Sequence, residues 1–182
     1  MKDLHPACWN EDDLLAHCRM TFSRASGPGG QNRNKVETSV QIEFIPACII
    51  ASASERRTQN ENRKVAVQRL RCKLAVEFRP SRGASTFSNA TNVSLPVIET
   101  ASLLWRQYCR NGRIDVSDTN PDWPAILAEM MTVLHECEWN LSSVALKLET
   151  SSSQLVKLLK KHAPAFCAIN RERQSRGHRP LE

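Results

Sequence analysis

The residues best suited to chemistry lie in one short stretch, Ser26-Gly27-Pro28-Gly29-Gly30-Gln31-Asn32-Arg33-Asn34-Lys35, which holds three of the chain's six glycines. Glycine and proline both disfavour helix interiors, and proline has no N–H for the ladder of a central strand. The stretch therefore predicts an extended loop with an almost bare backbone and cations at its base. Because bare backbone can approach a ligand closely and cations attract anions, we expect main-chain contact with an anionic ligand.

The charge of the chain also favours a polyanionic partner. The 182 residues carry a net charge of +6 and the sequence pI is about 9.1. Residues 1–80 hold 13 Lys and Arg against 9 Asp and Glu, residues 81–150 hold 5 against 8, and residues 151–182 hold 7 against 2. Two basic ends thus flank an acidic middle, which predicts two separate contacts with a polyanion such as nucleic acid.

Several classes of protein do not fit the composition. The sequence has no apolar run near the ~20 residues of a membrane span and no signal-peptide core at its start. The seven cysteines are scattered and form no C-x-x-C pair, so we expect reduced thiols rather than a disulfide scaffold or a zinc cluster. We therefore expect a cytoplasmic protein that acts without a membrane, a metal or a cofactor. We also expect a monomer, although none of these composition features bears on the oligomeric state.

Apolar periodicity around the loop predicts an α+β domain over residues 1–79, with a small antiparallel sheet and one packed long helix. In chain order, the predicted elements are a short helix over residues 11–18, strands over 20–24 and 37–45, a strand over 48–51 that closes a hairpin, and a helix over 54–78. Ser54 is the predicted cap of the long helix. Its predicted inner stripe consists of Val65, Leu70, Leu74 and Phe78.

The rest of the chain predicts a connection followed by an all-α segment. Residues 80–120 are expected to be a linker, because their first part is rich in Ser, Asn, Gly and Thr. Within residues 121–182, a helix is followed by two short helices joined by about three residues, which is typical of a helix-turn-helix. The predicted caps are Ser142 or Ser143 for the first short helix, and Ser152 or Ser153 for the second.

Three segments of the sequence together resemble a known family. Gly29-Gly30-Gln31 in its extended setting, the strand that starts at Glu37 and the helix start from Glu55 to Arg63 resemble the catalytic domain of bacterial class I peptide chain release factors. The resemblance covers about residues 11–79. We expect no stop-codon-reading domain, because too few residues precede Gly29 and nothing after Arg79 looks like one. The chain is thus similar to the codon-independent ribosome rescue hydrolases, and in particular to a release-factor-like subgroup with a C-terminal helix-turn-helix.

The resemblance implies hydrolysis of the ester that joins a nascent peptide to tRNA, in the peptidyl-transferase centre of the ribosome. Gln31 would supply a main-chain N–H to the developing negative charge, while Gly29 and Gly30 would allow the close approach. The implied partners are ribosomal RNA and peptidyl-tRNA. The residues expected to contact RNA are basic or amide side chains, namely Arg24, Arg33, Asn34, Lys35, Arg56, Arg57, Asn60, Arg63, Lys157, Lys160 and Lys161.

Two other functions compete with this one. The chain could be a nucleic-acid-binding regulator that works through the helix-turn-helix. Its second helix would present Ser, Gln and Lys but no Arg, although Arg is the commonest specific reader of bases. The chain could also be a ribosome-associated factor that has the fold without the hydrolysis.

Overall fold

The structure, a computed structural model, describes residues 5–24, 36–78 and 100–182. The chain divides into two units between Leu95 and Pro96. The predicted catalytic tripeptide and residues 80–99 of the predicted linker lie outside the described residues, as do Arg33, Asn34 and Lys35. Among the helices of the described residues, none is long and apolar enough to cross a bilayer.

The first unit combines a three-stranded sheet with one long helix. A 3₁₀ turn at Pro6–Cys8 is followed by α1 (Glu11–Leu15), β1 (Cys18–Ser23), β2 (Ser39–Phe44), a 3₁₀ turn at Ile45–Ala47, β3 (Ile49–Ala53) and α2 (Gln59–Glu77). The strands form an antiparallel sheet in the order β1-β2-β3. The α+β class expected from the sequence is therefore confirmed.

The core of the first unit lies between the sheet and α2. Val40, Ile42 and Phe44 alternate along β2 and are buried, because side chains two residues apart share one face of a strand. Leu70 and Leu74 of α2 are buried as well, and each such side chain contributes about 1.5–3 kcal/mol. The sheet is thus covered on one face by α2, with β1 at its edge.

The long helix differs from its prediction at its start. Thr58, not Ser54, is its N-cap, and helical residues begin at Gln59. Thr58 and Glu61 form a capping box, in which each side chain binds the other residue's main-chain N–H. The buried face of α2 also differs from the predicted inner stripe. Val65 and Phe78 are only half-buried, whereas Asn62 is fully buried.

The remaining elements of the first unit differ from their predictions by a few residues. The first helix ends at Leu15 and β1 begins at Cys18, because the chain leaves α1 early to pair with β2. β1 lies at the sheet edge, and Phe22 on it is 42% exposed. The alternation of residues 20–24 therefore identified the strand but overestimated its burial.

The second unit consists of helices with one small hairpin. Its elements are α3 (Leu103–Tyr108), β4 (Cys109–Arg110), β5 (Arg113–Ile114), α4 (Trp123–Glu136), α5 (Leu141–Lys147), α6 (Ser152–Lys160) and α7 (Ala163–Ser175). The apolar face of α4 is buried, and so are Leu155, Leu158 and Leu159 of α6. The predicted caps of α5 and α6 were wrong, because Asn140 and Ser151 occupy those positions and accept main-chain N–H bonds.

The residues from 100 to 120 belong to the second unit rather than to a connection. Trp105 is fully buried there, and its Nε1 donates to the main-chain oxygen of Leu148 at 2.9 Å. The Ser102 hydroxyl donates to Glu129 on α4 at 2.5 Å. These contacts join positions 27 to 43 residues apart, and local composition gives no signal for such pairings.

Candidate functional site

The glycine-rich stretch lies in the connection between β1 and β2, and the two ends of that connection are held together. Ser23 at the end of β1 is paired with Ser39 at the start of β2. Directly opposed Cα atoms in an antiparallel pair lie about 4.5–5.5 Å apart. The segment that contains the predicted catalytic residues therefore leaves and re-enters the sheet at one point, although the placement of Gly29, Gly30 and Gln31 is outside the described residues.

Asn62 of α2 fastens the returning end of this connection. Its Nδ2 donates to the main-chain oxygens of Thr38 at 2.7 Å and of Arg56 at 3.1 Å, and its Oδ1 accepts from the N–H of Arg56 at 2.9 Å. The side chain is fully buried, and three of its four hydrogen-bonding positions are thereby used. Asn62 thus links the sheet at the loop base to the segment that precedes α2.

Two further contacts strengthen the same junction. Gln59 Nε2 donates to the main-chain oxygen of Glu37 at 3.1 Å. The Thr58 hydroxyl donates to Glu61 at 2.8 Å, and this hydrogen bond lowers the pKa of Glu61. Because Glu61 stays ionised in the first turn, its negative charge interacts favourably with the positive end of the helix dipole and stabilises α2. The first turn of α2 and the loop base therefore form one hydrogen-bonded structure.

Within the described part of the first unit, the predicted RNA-contacting residues fall into two groups, those without an ion pair there and one with an ion pair. Arg24, Arg56, Arg57 and Asn60 are exposed, and no ion pair within the described part of the chain involves them. Arg63 differs, because its Nη2 lies 3.0 Å from Glu11 Oε1. The exposed residues therefore lie after β1 and around the start of α2, whereas Arg63 is tied to α1.

Three basic residues farther along α2 have structural contacts. Arg69 donates to the main-chain oxygen of Ser52 at 2.8 Å and lies 2.6 Å from Glu55. Arg71 donates to the main-chain oxygen of Trp9 at 2.6 Å. Lys73 donates to the main-chain oxygen of Ile50 at 2.7 Å. These contacts hold α2 against the sheet and the N-terminal segment.

The lysines of the second unit that were predicted to contact RNA also differ in their exposure and bonding. Lys157 and Lys160 are exposed on α6. Lys161 instead donates to the main-chain oxygen of Val116 at 2.5 Å and lies 4.0 Å from Asp115.

The described residues contain no group of three or more His, Cys, Asp and Glu side chains that could hold a metal ion. Burial raises the pKa of the Cys18 thiol to about 11, so this half-buried side chain remains protonated near neutral pH. A protonated thiol is a poor nucleophile.

The sequence prediction missed Asn62 and chose the wrong cap. Asn62 stands four residues before Ala66 and eight before Leu70, so it lies in line with the buried face of α2. A polar residue in that position signals a buried hydrogen-bonding role. Thr58 and Glu61 fit the capping-box spacing, which identifies the true helix start.

Comparisons with known proteins agree with the fold. The family model described as "RF-1 domain" matches residues 14–99. The chain is 37% identical over 101 residues to the chloroplastic peptide chain release factor PrfB1 of Arabidopsis thaliana, which covers 56% of this chain and 20% of that protein. It is 49% identical over 64 residues to peptide chain release factor 1 of Chlorobaculum tepidum, covering 35% of this chain and 17% of that protein. The chain therefore spans about a fifth of the length of these relatives.

Proposed function

We propose that this chain, a release-factor-like protein, releases nascent peptides on the ribosome. The premise is the match of the RF-1 domain to residues 14–99, together with the similarity to peptide chain release factors. The reaction is hydrolysis of the peptidyl-tRNA ester through Gly29, Gly30 and Gln31, and it proceeds without reading a stop codon. Its partners are the peptidyl-transferase centre, ribosomal RNA and peptidyl-tRNA, and it takes place where cytoplasmic ribosomes translate.

The chemistry needs few groups from the protein. Attack of water on the ester places negative charge on the carbonyl oxygen and on the departing ribose oxygen. A main-chain N–H at Gln31, fixed in advance, stabilises that charge without reorganisation, and loss of one such donor costs about 10²–10³ in rate. Positioning of water and ester can supply about 7–11 kcal/mol in favourable cases. The ribosome holds the ester, so a single main-chain donor and a positioned water suffice.

The observation that carries this proposal is the closed base of the connection between β1 and β2. The pairing of Ser23 with Ser39 and the hydrogen bond from Asn62 to Thr38 hold the two ends of the connection in which the tripeptide stands in sequence. Exposed Arg24, Arg56 and Arg57 suit contact with RNA phosphates. A fixed base supports the proposal because a catalytic donor must be placed within about 0.5 Å of its productive position.

Release without a codon is proposed from the sequence resemblance, and the second unit is given a separate role in docking. Residues 100–182 lie beyond the match to the RF-1 domain, and they form helices and one small hairpin. We assign residues 1–79 to catalysis, the segment after them to a connection, and the helix-turn-helix unit to docking on RNA. Lys157 and Lys160, which are exposed on α6, belong to that docking surface.

A single-round release assay tests the catalytic step. Ribosomes carrying a labelled peptidyl-tRNA are mixed with excess protein, and the rate of peptide release is measured with an empty A site, a sense codon or a stop codon. Gly30→Ala is expected to lower the rate by about 10²–10³, because a Cβ obstructs the approach. Gln31→Pro removes the N–H and should cause a similar loss, whereas Gln31→Ala keeps the N–H and should release faster than Gln31→Pro.

Gln41→Ala is the matched control, because Gln41 is an exposed glutamine of β2 outside the connection. Its release rate should equal that of the unchanged protein. Binding of every variant to ribosomes is measured by co-sedimentation and should persist. Binding without release by the unchanged protein would favour a non-catalytic ribosome-associated role, and release only at stop codons would contradict codon independence.

A further inference from the structure

Two arginines of the β4–β5 hairpin face each other across the strands. Asn111 and Gly112 form its tip with φ values of 51° and 72°, as a tight two-residue turn requires. Arg110 is paired with Arg113, so their side chains share one face of the hairpin. Like charges in directly opposed positions destabilise a strand pair. Both residues are exposed, and no ion pair within residues 100–182 involves them.

The two arginines line a cavity of about 320 Å³ together with Gln107, Tyr108 and Asp115. This volume lies within the range of about 300–1,000 Å³ that is usual for small-ligand sites. Asp115 is the acidic side chain among the lining residues, and its carboxylate lies 4.0 Å from the ammonium of Lys161. A second carboxylate, that of Asp122, accepts a hydrogen bond from the Tyr108 hydroxyl at 2.8 Å. The charged side chains that line the cavity are two guanidinium groups and one carboxylate, so its lining carries a net positive charge.

The hairpin is hydrogen-bonded to the turn between α5 and α6. The Thr150 hydroxyl, in the turn between α5 and α6, donates to the main-chain oxygen of Gly112 at 2.7 Å. The N–H of Asp115 donates to the main-chain oxygen of Tyr108 at 3.1 Å, which extends the hairpin ladder. Lys161 at the end of α6 is bound to Val116, next to Asp115. The backbone that carries the arginines is therefore held rigidly beside α6.

We propose that this cavity, defined by Arg110 and Arg113, binds phosphate groups of an RNA backbone. Guanidinium groups form bidentate hydrogen bonds with phosphate oxygens, and a fixed backbone reduces the entropy lost on binding. The choice of RNA over DNA rests on the proposed function. It also fits α6, whose exposed residues are Ser153, Lys157 and Lys160 and include no arginine that could read bases.

The test measures binding of the full chain to two labelled probes by fluorescence anisotropy, one an RNA stem-loop and one a DNA duplex of matched sequence. Arg110→Gln/Arg113→Gln is expected to weaken RNA binding about tenfold. The slope of log K against log salt should also fall by about 1.4–1.8, which corresponds to two lost phosphate contacts. Arg110→Lys/Arg113→Lys keeps the charge, so it should restore most of the slope but only part of the affinity.

Arg19→Gln/Arg106→Gln is the matched control, because it removes two charges from residues that are ion-paired with Glu43 and Glu149. It should leave RNA binding nearly unchanged. The proposal is overturned if Arg110→Gln/Arg113→Gln binds RNA as the unchanged protein does, if the control loses as much, or if the unchanged protein prefers the DNA duplex.

The release assay separates this site from the catalytic one. At saturating protein, Arg110→Gln/Arg113→Gln should release peptide at the unchanged rate, while the protein concentration at half-maximal rate rises about tenfold. A lower rate at saturation would contradict a docking role. If the unchanged protein releases no peptide, the proposed function fails, whereas the RNA-binding result still decides the role of the cavity.

Discussion

Replacement of Asn62 by alanine should destabilise the first unit far more than replacement of Asn60, two residues earlier on the same helix. Asn62→Ala removes three hydrogen bonds at once, to the oxygens of Thr38 and Arg56 and from the N–H of Arg56. A buried hydrogen bond contributes about 0.5–1.5 kcal/mol net, and a buried donor or acceptor left without a partner adds a further cost. We expect a loss of about 3 kcal/mol for Asn62→Ala and less than about 0.5 kcal/mol for exposed Asn60→Ala.

Amide hydrogen exchange of the full chain, measured by mass spectrometry, is the appropriate assay. Trp9 is the one tryptophan of residues 1–95, and the other three lie in the second unit, so fluorescence would report mainly on that unit. Peptides from β2 and α2 of Asn62→Ala should exchange about a hundredfold faster, because 1.4 kcal/mol corresponds to a factor of ten. Peptides from α4 serve as an internal control and should not change.

The acidic variant Asn62→Asp distinguishes the hydrogen bonds from simple loss of volume. A carboxylate still accepts from Arg56, but it faces the oxygens of Thr38 and Arg56 and has no hydrogen to donate. Its folded-state pKa is therefore raised above the unfolded value of about 3.9, and the stability that it contributes is present below that value and lost as the pH rises. Equal exchange in Asn62→Ala and Asn60→Ala, or an Asn62→Asp variant without pH dependence, would refute the role assigned to Asn62.

Two further predictions concern titratable groups. Because burial raises the pKa of Cys18 to about 11, alkylation with iodoacetamide at pH 8, mapped by mass spectrometry, should modify Cys18 much more slowly than exposed Cys48; equal rates would show that Cys18 is accessible and ionised. Burial lowers the pKa of His162, whose Nδ1 accepts from Ala165 at the start of α7, so its contribution to stability is full above about pH 6.5 and is lost as the pH falls through the lowered value. His162→Gln should flatten the decrease in exchange protection of α7 peptides below pH 6.5, and an unchanged decrease would assign it to another group.

The sequence predicted those parts of the fold that depend on local pattern. The alternation of Val40, Ile42 and Phe44 identified the central strand and its buried face, since a period of two is preserved in any sheet. Trp105 packs through a hydrogen bond to Leu148, which lies 43 residues away, and no local pattern encodes that distance. Residues 100–120 were therefore assigned to a linker, although their contacts place them in the second unit.

The sequence predicted which residue types form the candidate site. It did not predict which of the basic side chains are exposed and without a partner among the described residues. All the basic residues of the α2 region look alike in sequence, because each is a cation on or near an amphipathic helix. Availability depends on the carbonyls and carboxylates that the fold places nearby, and these come from distant segments such as α1 and β3. The sequence can therefore predict that a basic surface exists, whereas only the contacts identify which residues belong to it.

The distribution of charge along α2 has a consequence for binding. Arg69, Arg71 and Lys73 each donate to a main-chain oxygen of the first unit, so their charges already have partners within the fold. Arg56 and Arg57 have exposed side chains, and the backbone of Arg56 is fixed by its bonds to Asn62. A fixed backbone reduces the entropy lost when these two arginines bind phosphates. Exposed arginines without an ion pair in the described residues, Arg56 and Arg57, therefore lie next to the start of α2. The hydrogen bonds of Asn62 to Arg56 and Thr38 join this segment to the start of β2, so loss of Asn62 is expected to disturb both places at once.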